Sequence, residues 1–343
     1  MARLLFVVSS ATEMALADGT PHEIGYWPEE VYRPLHRYLE ADVEVVVATP
    51  DGAAPTPDPL GLEPRFHYRD EDEDFLASVI RTFAVDPEDI RITLHHLTGL
   101  DLIAARSIQL AAGTAGVDPV DARSHIEAAA RVAWFEDRNF VDALCDPQTG
   151  AAPSKFPGEA QLRAIAGDVQ REASAEAERV RIELTTSDLL MNPRSLSGIT
   201  NEELEGFDGV FFPGGHGPMV DLAANPDVDR LVRHFHERSQ VVSAVCHGPA
   251  ALLSVGTGYD GAWLLDGYRM TVFTNDEEDQ VPVDQLGAPW YVETAVRNKG
   301  AVVDNAPNEW VSHVVVDRNV VTGQNPASSD AVADAVLKKL EVL

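Results

Sequence analysis

The chain has 343 residues, 45% of them hydrophobic, enough for one large domain or two modest ones and too many for general disorder. Its 56 acidic residues against 26 basic ones leave a formal charge of −30, which disfavours nucleic acid and anionic membranes as partners, because a polyanion gains no counterion release at such a surface. Two cysteines, Cys145 and Cys246, exclude a disulfide framework and a cysteine zinc cluster and suit a reducing compartment.

The N-terminal apolar run is short and is followed by polar Ser9, Ser10 and Thr12, so it reads as a buried strand rather than a signal peptide. Leu4–Val8 is that strand, apolar throughout as in a sheet covered on both faces. Glu29–Leu39 carries helical spacing through Val31, Leu35 and Leu39, and Val43–Ala48 is a second strand. A Pro-rich stretch to Pro64 then breaks regular structure. From 65 to 189 the texture is mostly helical, with Ile126, Ala129, Ala130, Ala133 and Trp134 on one face and Val141, Leu144 and Cys145 on another. Val180–Leu184 is the one strand-like run there, and Cys145 reads as a core residue.

Alternation returns after residue 190. Strands are expected at Gly209–Phe212, Val241–Val245, Arg269–Phe273, Ala301–Val303, Val314–Val316 and Val320–Val321, with helices at Asp227–Arg238 and Ala327–Leu340. Strand-helix alternation at both ends predicts a doubly wound, flavodoxin-like, mainly parallel sheet with helices on both faces. That places an α/β domain at 1–64 and 190–343, interrupted by an inserted helical segment at 65–189. No apolar run is long enough to cross a bilayer. With only four lysines (Lys155, Lys299, Lys338 and Lys339) and so much self-repulsion, the composition points to a salt-loaded, halophilic cytoplasm, where the Debye length shrinks to about 3 Å at molar salt.

Cys246 stands where an apolar strand meets a helix-opening His-Gly-Pro, the arrangement of a nucleophile elbow. A thiol there faces backbone N–H groups and a helix start, which predicts an ionised sulfur at neutral pH. Pro213-Gly-Gly-His-Gly-Pro218 is a second glycine-rich turn after a strand, suited to holding an oxyanion. It lacks the lysine of a phosphate loop. Glu29 and Glu30 suit a helix start, and Glu277, Glu278 and Asp279 suit a solvated acidic turn. His95-His96 lacks a third ligand by spacing and reads as helix surface.

Five segments together resemble the ThiJ/PfpI superfamily (class I glutamine amidotransferase-like), nearest to its heat-shock chaperone and glyoxalase III branch. They are Gly25–Glu30, Phe211–Met219, Ala244–Ala250, Phe273–Glu278 and Val321–Ser329, in family order. The resemblance spans roughly 1–64 and 190–343; the middle segment departs from the short connection of that branch. It implies Cys246 as nucleophile, His247 as base and Glu30 as the acid beside the thiol. Glu278, or Asp276 in its place, would orient His247, and Gly214, Gly215, His216 and Gly248 would form the oxyanion hole and substrate contacts. It further implies glutathione-independent conversion of methylglyoxal or another 2-oxoaldehyde to a 2-hydroxy acid, with no metal or organic cofactor, and a homodimer. The rival readings are a holding chaperone or deglycase acting on unfolded or glycated proteins, and a cysteine peptidase or amidase. Glutamine amidotransferase chemistry fits less well, since the base there lies in a late His-x-Glu pair and His313 is followed by two valines.

Overall fold

The computed structural model describes residues 1–67, 100–256, 258, 261–281 and 287–342. His95 and His96 lie outside the described residues. Two compact units are present, one formed by Met1–Leu62 with Val180–Leu343 and the other by Glu63–Arg179.

The first unit is built on a seven-stranded sheet. Its strands are β1 (Arg3–Val7), β2 (Glu44–Thr49), β3 (Arg194–Ser195), β4 (Gly209–Phe212), β5 (Val241–Val245), β6 (Val314–Asp317) and β7 (Val320–Gly323). Their order is β6-β7-β5-β4-β1-β2-β3, parallel throughout except for the β6–β7 hairpin. The expected mainly parallel, doubly wound sheet is present. Strand side chains alternate between faces, and here both faces are covered, which is why the strands read as unbroken apolar runs. Leu5, Val7, Val210, Phe212, Val242 and Ala244 pack with the helix Pro226–Glu237 on one side. Leu4, Phe6, Val45, Val47, Phe211 and Val245 pack with the helices Pro28–Glu40 and Ser329–Lys339 on the other. Arg33–Asp330 and Arg37–Asp334 ion pairs join those two helices.

Three expectations need correction. Arg269–Phe273 contributes only Arg269–Met270 as strand, paired with Val302–Val303 in a separate two-stranded sheet. The residues after Cys246 form a 3-10 helix, Gly248–Ser254, rather than an α-helix. Val180–Leu184 is helical, inside Glu159–Thr186; its apolar residues Val180 and Leu184 are one helical turn apart, and burial of that stripe decides the matter.

The second unit packs the helices Leu100–Thr114, Pro119–Phe135 and Phe140–Cys145 around Ala105, Ile108, Ile126, Ala129, Phe140, Leu144 and Leu162. Cys145 is half-buried against this cluster. Among the described residues no helix is long and apolar enough to cross a membrane.

Candidate active site

The carboxyl ends of β4, β5 and β7 deliver the turns that form the site, as open parallel sheets do. Cys246 follows β5 directly and adopts φ +58°, a left-handed conformation uncommon for a residue with a Cβ. Two backbone bonds hold it there: its N–H donates to Gly323 O at 2.9 Å, and its carbonyl accepts from Phe273 N–H at 3.0 Å. Gly248 permits the tight return, since a Cβ at that position would lie 2.2 Å from Phe212 O. Gly248 therefore supports the elbow.

The Cys246 sulfur faces two groups. His247 Nδ1 lies 3.2 Å away. On the other side is Glu30, which is fully buried in the first turn of its helix and whose Oε2 accepts from Gly214 N–H at 2.8 Å. Glu30 Oε1 has no geometrically good hydrogen bond of its own, and the carboxyl lies against the thiol. Burial pushes the Glu30 carboxyl up to about 8, with the thiol and the Gly214 N–H pulling it back only in part. Glu30 is thus mainly protonated at neutral pH and can donate to the sulfur. Gly214 spends its N–H on Glu30, which leaves it no donor for an oxyanion; the Gly215 N–H is directed at Cys246 instead.

The raised Glu30 value has a consequence for stability. Between pH 4.5, its ordinary value, and about 8, the folded chain holds a proton that the unfolded chain has released. Stability therefore falls as pH rises through that window, by up to about 1.4 kcal/mol per unit. Glu30→Gln keeps the shape and the acceptor for Gly214 and removes this slope. Urea denaturation is expected to show the variant gaining on the wild type between pH 5 and 7.5, by about 3 kcal/mol at most. A difference between the two proteins that stays constant with pH would contradict the buried, protonated carboxyl.

His247 Nε2 lies 2.6 Å from Glu278 Oε2, and His216 Nε2 lies 3.0 Å from Glu278 Oε1. A carboxylate only accepts, so both imidazoles donate through Nε2, and His247 is left with its Nδ1 lone pair facing the thiol. Burial opposes ionisation of Glu278, but the two imidazoles outweigh it and hold its carboxyl well below the usual range. Burial also keeps the His247 imidazole below its ordinary value. For His216, burial acts in the same direction, but the Glu278 and Asp58 carboxylates raise it overall. The two imidazoles are thus pushed apart, His216 toward its charged form and His247 toward its neutral one. Of the two acidic residues considered for the partner of His247, Glu278 takes the place and Asp276 does not.

The shift of the thiol runs opposite to the one expected from the turn: burial, followed by the Glu30 carboxyl, pushes the Cys246 thiol well above its ordinary value, and the residue is only 3% exposed. His216 directs Nε2 to Glu278. A further residue was missed. Glu277 reads as part of a solvated turn, yet it is fully buried. Its Oε1 accepts from Trp310 N–H, Gln324 Nε2 and Asn325 Nδ2 at 2.8, 3.0 and 2.8 Å, and its Oε2 caps Thr274 N–H at 3.0 Å. These bonds fasten the Glu278 turn to the exit of β7. The Thr274-to-Glu277 capping-box spacing was the available signal.

One ligand atom from each of His216, His247 and Glu278 lies within 4.8 Å of the others, so this set could hold a metal ion. A cleft of about 780 Å³ bounded by His236, Tyr268, Arg318 and Lys339 lies at the amino ends of the strands, the edge opposite Cys246, and takes no part in this geometry.

Residues 195–339 match the DJ-1/PfpI family. Glutamine amidotransferase-like class 1 domain-containing protein 1 of Homo sapiens is 36% identical over 132 residues, 37% of this chain and 59% of that protein. Glyoxalase 3 of Candida albicans is 30% identical over 138 residues, 39% of this chain and 58% of that protein. The deglycase HchA of Staphylococcus aureus is 28% identical over 158 residues, 44% of this chain and 53% of that protein. The chain thus spans little more than half the length of the curated relatives it matches. Among solved structures, Rapid Encystment Protein 24 KDa of Francisella tularensis superposes with a TM-score of 0.56 at 19% identity, covering 99% of each chain. Glyoxalase III of Candida albicans superposes at 0.55 and 17% identity, covering 98% of this chain and 97% of that one; both show the shared fold. The region that carries Cys246, His247 and Glu278, residues 195–339, therefore belongs to the DJ-1/PfpI family.

Proposed function

We propose that this chain converts methylglyoxal or a similar small 2-oxoaldehyde to a 2-hydroxy acid without glutathione, through a covalent adduct on Cys246. The observation that carries this reading is the continuous relay from sulfur to His247 Nδ1, and from His247 Nε2 to Glu278, with a protonated carboxyl on the far side of the sulfur. His247 takes the thiol proton as the sulfur attacks the aldehyde carbon, and Glu30 protonates the carbonyl oxygen to give a hemithioacetal. A base then removes the proton from that carbon. An enediol forms, and reprotonation at the neighbouring carbon leaves a 2-hydroxy thioester. Water hydrolyses the thioester, restoring the thiol, so that one aldehyde and one water yield one lactate.

A cysteine that is 3% exposed favours a small substrate over a side chain borne on a folded protein. Glyoxalase 3 and HchA among the relatives support aldehyde chemistry of this general kind. The test is incubation with methylglyoxal in D₂O at high salt, without glutathione. Lactate carrying deuterium at the carbon bearing the hydroxyl is expected. Absence of lactate, alongside hydrolysis of peptide or amide substrates, would move the assignment to a cysteine hydrolase.

A further inference from the structure

The relay also has the composition of a metal site. Two imidazole nitrogens and a carboxylate oxygen are the donor set preferred by zinc and other borderline divalent ions, which bind them at about 2.0–2.2 Å. The side chains of His216, His247 and Glu278 are only 7%, 3% and 4% exposed, and their ligand atoms already converge within 4.8 Å. They come from three separate turns, each anchored by its own bonds. The Gly214 turn is tied to Glu30 and to Trp27 N–H, the elbow to Gly323 and Phe273, and the Glu278 turn to Gln324 and Asn325 through Glu277. Such second-layer bonding is what holds ligands in place around a metal. The 2.6 and 3.0 Å contacts of Glu278 need open only slightly for an ion to replace the two ring protons.

We propose that His216, His247 and Glu278 bind a divalent transition ion such as Zn²⁺, and that the bound ion switches the Cys246 relay off. The ion takes the Nε2 position of each imidazole and displaces the hydrogen held there. A neutral ring shifts its one hydrogen through solvent to Nδ1, a doubly protonated ring releases one proton to solvent, and no electron is transferred. On His247, however, Nδ1 is the atom that faces the sulfur at 3.2 Å. Once it carries hydrogen it can no longer accept the thiol proton. This inference extends the site beyond the aldehyde reading, and its binding measurements require no substrate.

The experiment uses the full chain, stripped of metal by chelation. Excess Mg²⁺ is kept present, because the 56 acidic residues offer many weak oxygen sites. Zn²⁺ is titrated in competition with a chromophoric chelator. One equivalent is expected to be retained at micromolar affinity or tighter. Co²⁺ in its place is expected to show the visible bands of a four- or five-coordinate nitrogen and oxygen site, without the intense near-ultraviolet band of a thiolate ligand. His216→Gln is expected to weaken Zn²⁺ binding at least about tenfold, with folding checked by circular dichroism; should that variant misfold, the wild-type Co²⁺ spectrum decides. Zn²⁺ is expected to abolish methylglyoxal turnover, and EDTA to restore it. Loss of Zn²⁺ to the competing Mg²⁺, a Co²⁺ spectrum with thiolate character, or unchanged affinity in a folded His216→Gln protein overturns the site. Retained Zn²⁺ with undiminished turnover overturns the switch. If the chain turns over no methylglyoxal at all, the binding measurements still decide the site.

Discussion

Cys246→Ala is expected to lower methylglyoxal turnover by at least about 10⁴-fold. The proposed route passes through a bond to this sulfur, and the chain's other cysteine, Cys145, packs against the core of the second unit. The fold should survive. Alanine is smaller than cysteine, and the strained φ at this position is held by backbone bonds to Gly323 and Phe273, which the substitution leaves intact. Near-wild-type thermal unfolding combined with lost lactate formation would therefore locate the defect in chemistry. Lactate production undiminished in the variant would end the covalent reading. The same protein separates the holding-chaperone reading, because suppression of aggregation owes nothing to the sulfur and should persist.

Glu278→Gln is expected to cost about 10²–10⁴-fold in kcat, with a much smaller change in KM. Glu278 performs two tasks. It fixes His247 with hydrogen on Nε2, leaving Nδ1 to face the thiol, and its charge stabilises the imidazolium that forms when the thiol proton arrives. An amide can preserve the first task only by turning its NH₂ toward His216, which must then exchange tautomers. It cannot perform the second in either orientation. Steady-state kinetics, with iodoacetamide alkylation of Cys246 as a substrate-free measure, would check this. A variant with unchanged kcat would show that the Glu278–His247 contact only supports the fold.

Much of the site was legible from local pattern. An apolar run ending in Cys-His-Gly-Pro marks a strand followed by a sharp turn, because alternating burial and glycine spacing are properties of adjacent residues. The same holds for β1, β2, β4 and β5, and for the glycine turn at Pro213–Pro218. Glu30 was located by its place beside Pro28 and the resemblance of that motif. What local pattern left open concerned partners distant in the chain. Glu277 and Glu278 are neighbours in an acidic turn, and nothing between 274 and 279 shows that one meets Gln324 and Asn325 while the other meets His216 and His247.

The protonation of Cys246 is the clearest case. Its position after a strand and before a helical turn suggested a thiolate, since the sequence displays the turn and its N–H groups. Only the folded chain brings Glu30, 216 positions earlier, against the sulfur and removes both from water. Desolvation then outweighs the local N–H groups and shifts the thiol toward its protonated form. Sequence by itself determined the candidate residues and the strand-and-turn geometry that presents them. Tertiary structure decided their charge states and pairings, because those depend on burial and on contacts between distant segments.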